Sequence, residues 1–278
     1  MKEYMVKSGG EGFVGWRYFI TLGIFMLLYI VGIMLPLEFT PHYHSLMSRV
    51  WNWTDILILL VALYYIARTR IFKWHQAVLA LLLGLTCLVS LFRDPRTADI
   101  IVTCICVTTA FYAACRLFEL ANVENASNHM GIAESVRYFA LGAVIAMPLA
   151  FLNVLYFSFS REISVGNILS SAIFAWKPAI AEEVVFRFFG LAYAYHVLQG
   201  KAESRFFHVC IYILLVIPHE LLHYPDLLIK SPGPAFVMCL LNGAFFGLPM
   251  ALSMKRKNLQ MAIGMHWFVD FARFACGF

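Results

Sequence analysis

Two adjacent carboxylates and an arginine stand inside the apolar stretch AIAEEVVFRFFG, residues 179–190. A charged residue near the centre of a bilayer costs about 2.5–3.5 kcal/mol on insertion scales, so it is expected to be paired or functional. Glu183 and Arg187 are four residues apart and can pair on one helix face. Glu182 is rotated by about 100° from that face and needs another partner. We therefore predict that Glu182 is a reactive carboxylate, and that Glu183 and Arg187 either support it or simply join helices.

A proline lies one turn before the two acids, at Pro178 in the stretch WKPAI. Proline lacks a backbone donor and its ring clashes with the preceding turn, so it kinks a helix. A kink at this position would widen the bundle and let water reach the carboxylate. An ordinary packing kink is the alternative.

A second cluster lies in the stretch IPHELLHYPD, where His219 and His223 are four residues apart with Glu220 between them. On a helix both imidazoles would share one face. The stretch matches H-E-x-x-H, in which two histidines bind zinc and the glutamate serves as general base. Zinc would still need a third ligand. The alternative is a pair of histidines that hydrogen-bond between packed helices.

The third cluster lies in GMHWFVDF, where His266 and Asp270 are also four residues apart. A carboxylate at that spacing could accept a hydrogen bond from the imidazole and fix its tautomer and orientation. A packing hydrogen bond is again the alternative. Three ionisable clusters on separate apolar segments, however, favour a common functional site.

The composition determines what kind of scaffold must position these clusters. Hydrophobic residues make up 62% of the chain and charged residues 13%, with a mean hydropathy of +0.77. These values predict a polytopic membrane protein of the all-α class. The net charge of +5 is small and is spread in short clusters between apolar runs, which argues against nucleic-acid binding. The seven cysteines contain no C-x-x-C pair, so we interpret them as reduced packing residues.

Apolar segments suited to crossing a bilayer recur along the whole chain. They lie at 17–37, 53–67, 75–92, 98–121, 137–159, 167–199, 206–224, 234–254 and 258–275. We therefore predict a transmembrane bundle of about 8–9 helices, with a water-accessible intramembrane cavity lined by Glu182, His223 and His266. Lysine and arginine are concentrated in alternate loops, which predicts a cytoplasmic N-terminus.

A polar linker at 122–135 divides the chain into two predicted parts. Residues 1–135 form N-terminal helices of unknown role, poor in intramembrane charge. Residues 136–278 form the predicted catalytic core and hold all three clusters.

The clusters resemble the motifs of the CAAX protease and bacteriocin-processing family of glutamic intramembrane endopeptidases, also called the Abi family. This family includes the Ras-converting CAAX protease. Its first motif, EExxxR, matches Glu182, Glu183 and Arg187. Its second, usually Phe-x-x-x-His, falls on HELLH, so that His223 takes the histidine position and His219 replaces the phenylalanine.

The family's third motif, His-x-x-x-Asn or Asp, matches His266 and Asp270. It follows the stretch NGAFFGLPMALSMKRKNLQMAIGMH, which is also typical of the family. The resemblance covers roughly residues 165–275 and does not extend to the N-terminal helices.

The resemblance implies a catalytic arrangement that needs no cofactor. Glu182 would act as general base on a water that His223 helps to position. His266 and Asp270 would stabilise the oxyanion or orient the substrate carbonyl. If Asp270 is ionised, it would orient His266 rather than donate directly.

The resemblance also implies partners and a location. The substrate would be a membrane-associated protein or peptide, and the protein would be a multi-pass component of a cell membrane, which we expect to be prokaryotic. A prenylated CAAX protein, a leader peptide and a signalling peptide all remain possible substrates. Besides that substrate and the lipid bilayer, no nucleic-acid partner is expected.

Two other functions remain open. His219 completes a zinc signature, so a membrane metalloprotease could use His219, His223 and either His266 or Glu182 as ligands. A scaffold or immunity protein could keep the fold and bind a partner without catalysis. Loss of a motif residue would favour the scaffold, and every motif position is filled here.

Overall fold

The computed structural model describes residues 11–40, 45–69, 72–92, 94–123, 131–198 and 205–278. Within these residues the chain is helical and contains no strand, which confirms the all-α prediction. Residues 1–10, on which the predicted orientation of the N-terminus partly depends, lie outside the described residues. So does the 124–130 part of the predicted linker.

The front part of the chain consists of long helices with short connections. They are α1 (Glu11–Met34), α2 (Leu46–Thr69), α3 (Trp74–Thr86), a 3₁₀ turn (Cys87–Phe92) and α4 (Thr97–Leu120). The predicted boundary at 135/136 falls inside the next helix, α5 (Ile132–Ile145), so a helix and not a linker stands at that point.

The back part is built from shorter helices, two of which continue into π-helical segments. They are α6 (Met147–Ser158), α7 (Ile168–Phe174), α8 (Trp176–Glu182), the first π-helical segment (Glu183–Phe189), α9 (Gly190–Leu198), α10 (Arg205–Leu221), α11 (Pro225–Lys230), α12 (Pro232–Asn242), the second π-helical segment (Gly243–Gly247), α13 (Leu248–Arg256) and α14 (Leu259–Ala275).

Several helices are long and apolar enough to cross a membrane. Among the described residues there are five, at Trp16–Met34, Leu46–Thr69, Trp74–Phe92, Thr97–Leu120 and Pro232–Arg256. The pair α5 and α6, bent by 47°, makes a sixth if it forms one span. By length and composition, these helices make the chain a polytopic integral membrane protein.

The other three predicted segments differ from simple spans. Helices α10 and α14 have 17 residues each. The segment at 167–199 is interrupted by a one-residue turn at Ala175, shortly before Pro178. Pro178 explains this break, because a proline ring clashes with the carbonyl of the residue four positions earlier, here Phe174. The proline therefore accompanies a one-residue break between α7 and α8, and Ala175 still takes part in helical hydrogen bonds on both sides of it.

Helix α4 lies at the centre of the bundle and connects its two parts. Every residue from Ala110 to Phe118 is buried, as expected for a helix that is apolar on all sides and enclosed by other helices. The rings of Phe111 and Phe118 pack against Phe188 of the first π-helical segment, with centroids 4.9 and 5.4 Å apart. The front helices and the motif-bearing helices thus share one hydrophobic core.

Two glycines allow α5 and α14 to cross at very short range. A Cβ on Gly142 would lie 2.2 Å from the carbonyl oxygen of Met261, and a Cβ on Gly264 would lie 2.1 Å from that of Phe139. Neither position can hold a side chain without separating the helices. The crossing fixes α14, which carries His266 two residues after Gly264.

The variant Gly264→Ala is expected to destabilise the protein by about 1–3 kcal/mol, the usual cost of overpacking a tight contact. The Phe139 carbonyl belongs to the backbone and cannot turn away. Thermal unfolding of the purified protein in detergent measures the effect. The matched control is Gly23→Ala in α1, where an added Cβ meets nothing within 4 Å. Equal unfolding temperatures for the two variants would contradict the tight crossing.

Candidate active site

The first cluster lies where α8 continues into the first π-helical segment. Glu182 is the last residue of α8 and Glu183 the first of the π-helical segment. Glu183 and Arg187 are fully buried, and Arg187 Nη1 lies 3.3 Å from Glu183 Oε1. The predicted pair is therefore formed. Glu182 points away from this pair and has a partner on another helix, as the helical rotation predicts.

That partner is His219 of α10. Glu182 Oε2 lies 2.5 Å from His219 Nε2, a very short contact between two buried side chains. The resemblance assigns His223 the task of positioning a water for Glu182. The direct contact with the acid is made by His219, the histidine that replaces the usual phenylalanine. Within the second motif, His219 is therefore the residue that contacts Glu182.

The tautomer of His219 follows from its second neighbour. Arg187 Nη2 lies 3.1 Å from His219 Nδ1, and a guanidinium can only donate hydrogen bonds. Glu220 Oε1 is farther from the same nitrogen, at 3.4 Å. We therefore assign Nδ1 as the acceptor and Nε2 as the protonated nitrogen, which donates to Glu182. Arg187 thus fixes the direction of the hydrogen bond between the first two motifs.

His223 lies just beyond the end of α10, which corrects the prediction of a helix running to residue 224. The helix ends at Leu221, and the backbone N–H of His223 donates to the Glu220 carbonyl at 3.2 Å in a tighter turn. Pro225 explains the early end, because a residue that precedes proline disfavours helical geometry. His223 Nε2 still lies 3.3 Å from His219 Nε2, and His223 is the more exposed of the two.

The third cluster joins the first through His266. Its Nδ1 lies 2.8 Å from Glu183 Oε1, and its Nε2 lies 3.4 Å from Glu182 Oε2 and 3.5 Å from Asp270 Oδ2. The predicted partner Asp270 is therefore present but is not the nearest carboxylate. Asp270 itself accepts a 2.9 Å hydrogen bond from Arg273 Nη2. The imidazole bridges both acids of the first motif.

A comparison with known families covers this region. Residues 164–272 match the family model described as "Type II CAAX prenyl endopeptidase Rce1-like". The resemblance to CAAX proteases is confirmed. All three motifs lie within the matched residues, and α1–α6 lie outside them. No curated protein and no solved structure matches the chain.

The CAAX protease match supports intramembrane proteolysis in general. Proteases of this family act on membrane-associated proteins. The match gives neither the substrate of this chain nor the role of each residue, so these rest on the geometry of the cluster.

Some residues around the CAAX protease motifs carry no sequence signal that identifies them. Trp51 of α2 packs edge-on against the rings of His219 and His223, with centroids 6.0 and 5.9 Å away. It also contacts Phe186, at 5.6 Å. Arg273 could have been found, because it lies three residues after Asp270 on the same helix. Trp51 lies just before the predicted apolar segment 53–67, where a tryptophan has the same appearance as an ordinary membrane-interface residue.

The glycines of the family-like stretch NGAFFG have a steric role beside Glu220. A Cβ on Gly247 would lie 2.8 Å from Glu220 Oε1 and 2.7 Å from Val216 Cγ1. The second π-helical segment therefore lies directly against α10. The close approach limits the positions that Glu220 can adopt.

Three side chains of the CAAX protease motifs could also hold a metal ion. Glu182, His219 and His223 place one ligand atom each within 4.8 Å of one another. Two imidazoles and a carboxylate are a donor set that catalytic zinc uses. Of the two residues predicted as a third zinc ligand, Glu182 belongs to this group and His266 does not.

Proposed function

We propose that this protein is a glutamic intramembrane endopeptidase that hydrolyses a peptide bond in a membrane-associated protein or peptide. The observation that carries the proposal is the convergence on Glu182 Oε2 of His219, at 2.5 Å, and His266, at 3.4 Å. These side chains come from α8, α10 and α14. Their burial excludes bulk water, which strengthens electrostatic interactions with a reacting group.

In the proposed mechanism Glu182 is the general base. The ligand oxygen of Glu182 and the ligand nitrogen of His223 are within 4.8 Å, a separation that one water molecule can bridge with two hydrogen bonds. Glu182 takes a proton from this water while the oxygen attacks the carbonyl carbon. The tetrahedral intermediate then collapses, the C–N bond breaks and Glu182 returns the proton to the amine. The more open side of the cluster, at His223, is the route for water.

His266 is the proposed oxyanion donor. Both of its ring nitrogens face carboxylate oxygens, which favours a ring that donates from both sides. Glu183 holds Nδ1 of His266 at 2.8 Å. The other ring nitrogen, Nε2, can then donate to the oxygen of the reacting carbonyl. A preorganised donor of this kind contributes roughly 3–4 kcal/mol to transition-state stabilisation. Asp270, held by Arg273, orients this imidazole.

The experiment that tests the function is hydrolysis in ¹⁸O-labelled water by the full chain reconstituted in vesicles. The probes are synthetic peptides anchored in the same vesicles, one set with a prenylated C-terminal cysteine motif and one with an apolar leader segment. We expect cleavage of at least one set, with ¹⁸O in the new carboxyl terminus. A folded protein that cleaves neither set would favour the scaffold function instead.

A zinc protease is the second candidate, because Glu182, His219 and His223 form a suitable donor set. In this alternative the metal would polarise the substrate carbonyl and its bound water, and Glu220 would be the general base. Arg187 works against it. A metal at His219 Nε2 requires the proton to move to Nδ1, which faces the guanidinium at 3.1 Å. We therefore favour the metal-free mechanism.

Metal removal distinguishes the two candidates. Peptide cleavage is expected to be unchanged after treatment with 1,10-phenanthroline and exhaustive dialysis, because no step of the metal-free mechanism uses a metal. Elemental analysis of the active protein should find substoichiometric zinc. Activity that disappears on chelation and returns with added zinc would contradict the metal-free mechanism.

For the location, we propose a prokaryotic cell membrane with the N-terminus in the cytoplasm. The support for this orientation is the concentration of lysine and arginine in alternate loops. Accessibility of single introduced cysteines to a membrane-impermeant reagent on each side of the cell tests this orientation.

A further inference from the structure

We propose that Tyr29 and Trp51, two residues of the front helices, are positioning residues of the active site. They hold the turn from His219 to His223 in place over Glu182. This inference rests on the proposed function and extends it to helices that lie outside the family match. It gives the front part of the chain a role in catalysis.

Tyr29 acts on the end of α10. Its side chain is buried, and its hydroxyl donates to the carbonyl oxygen of Leu221 at 2.9 Å. Leu221 is the last residue of α10, where carbonyls have no partner within the helix. The same carbonyl accepts from the backbone N–H of Tyr224 at 3.2 Å. The hydroxyl therefore fixes the point at which the chain leaves the helix, two residues before His223.

Tyr18 makes the same kind of bond in the first half of α10. Its hydroxyl donates to the carbonyl oxygen of Cys210, also at 2.9 Å, and it is also buried. Both bonds join residues that are 192 positions apart, so α1 and α10 run parallel over eleven residues. Eleven helical residues span about 16 Å. Tyr18 thus provides a matched comparison at a distance from the histidines.

Trp51 acts on the imidazoles themselves. Its ring meets His219 and His223 edge-on, at interplanar angles of 77° and 71°. It also packs edge-on against Phe186, whose ring lies 5.1 Å from that of His219. The two histidines are therefore packed against an aromatic surface that limits their rotation. Only His219 is held in addition by a short bond to Glu182.

Small displacements at this site would have large effects on the reaction. The proposed water must contact both Glu182 and His223 while it attacks the carbonyl carbon. A misplacement of about 1 Å in such an arrangement costs on the order of 10²-fold in rate. Loss of a positioning contact is therefore expected to lower kcat and to leave KM nearly unchanged, because the substrate-binding surface is not altered.

The first test compares Tyr29→Phe with Tyr18→Phe in the full chain in vesicles. Each change removes one hydroxyl and leaves one helix carbonyl without that donor. For Tyr29→Phe we expect kcat to fall about tenfold, a part of the full cost of misplacement. For Tyr18→Phe we expect kcat and KM to be unchanged. Equal effects of the two variants on kcat would overturn the proposal.

A second readout does not require catalysis. Diethylpyrocarbonate modifies accessible imidazoles, and mass spectrometry of the digested protein gives the rate at His223. We expect a faster rate in Tyr29→Phe than in wild type or Tyr18→Phe. If the wild type proves inactive but this difference is found, the proposed function fails and the positioning role stands. If the three rates are equal, the positioning role fails independently of activity.

The tryptophan is tested by its own series. Trp51→Ala is expected to lower kcat about tenfold or more, and Trp51→Phe to restore most of the loss, because a phenyl ring keeps part of the aromatic contact. The control is Trp53→Ala on the same helix, whose indole N–H donates to the Leu35 carbonyl away from the cluster. No recovery in Trp51→Phe, or an equal loss in Trp53→Ala, would contradict a specific role of Trp51.

Discussion

Replacing Glu182 by glutamine is expected to lower kcat for peptide hydrolysis roughly 10²–10⁴-fold, the contribution usual for general acid–base catalysis. The amide has the size of the carboxylate and can still accept from His219 Nε2, which lies 2.5 Å from the acid. It cannot take a proton from water. The loss should therefore appear in kcat, measured by single-turnover cleavage, while thermal unfolding changes little.

Two further variants make this result specific. Glu134→Gln replaces an exposed acid on α5 and should leave kcat unchanged. Glu220→Gln alters a neighbour of His219 and should have a smaller effect than Glu182→Gln. The zinc alternative makes Glu220 the general base. If Glu182→Gln keeps full turnover while Glu220→Gln loses it, the zinc alternative is supported and the glutamic mechanism is wrong.

Replacing Arg187 by methionine is expected to destabilise the fold by about 3–5 kcal/mol, the usual cost of leaving one partner of a buried ion pair uncompensated. Both Glu183 and Arg187 have no exposed surface, so solvent cannot replace the lost charge. Thermal unfolding and denaturation by dodecyl sulfate both measure this effect in detergent. A variant that unfolds like the wild type would show that the pair contributes little to the bundle.

The double variant Glu183→Gln with Arg187→Met separates stability from chemistry. Without either charge, much of the lost stability should return, because removing both partners of a buried pair is far less costly than removing one. Cleavage activity should remain low, because His219 Nδ1 has then lost the donor that sets its tautomer and His266 Nδ1 has lost the carboxylate that orients it. Recovery of both properties together would argue against that role for Arg187.

The fold class could be predicted because it depends on composition and on the length of apolar runs. The interruption at Ala175 was less evident, because hydropathy treats residues 167–199 as one run. Pro178 indicated where the helix is broken but not how short the break is, since the outcome depends on how neighbouring helices pack. The early end of α10 before Pro225 also depends on local backbone geometry. Hydrophobicity does not report that geometry.

Within the site, contacts between residues of one helix were predictable and contacts between helices were not. Glu183 and Arg187 pair as their spacing predicts. The contact of Glu182 with His219 depends on how α8 and α10 pack, over 37 residues of sequence. For the same reason, Glu183 is closer to His266 than the predicted partner Asp270. Tyr29 lies within an apolar run and Trp51 just before one, and neither carries a motif, so only the packed structure identifies them.

The first π-helical segment makes the length of the chain between 183 and 189 as important as its composition. A π-helical turn holds one residue more than an ordinary helical turn, so the segment behaves as a retained single-residue insertion. Deleting one of the valines at 184 and 185 would let the segment return to ordinary helix. The helix after the segment would keep its orientation, but Glu183 and Arg187 would then be three residues apart instead of four, which would change the direction of the guanidinium relative to Glu183 and α10. Homologous chains should therefore keep the number of residues between Glu183 and Arg187, and gaps of a single codon here should be selected against.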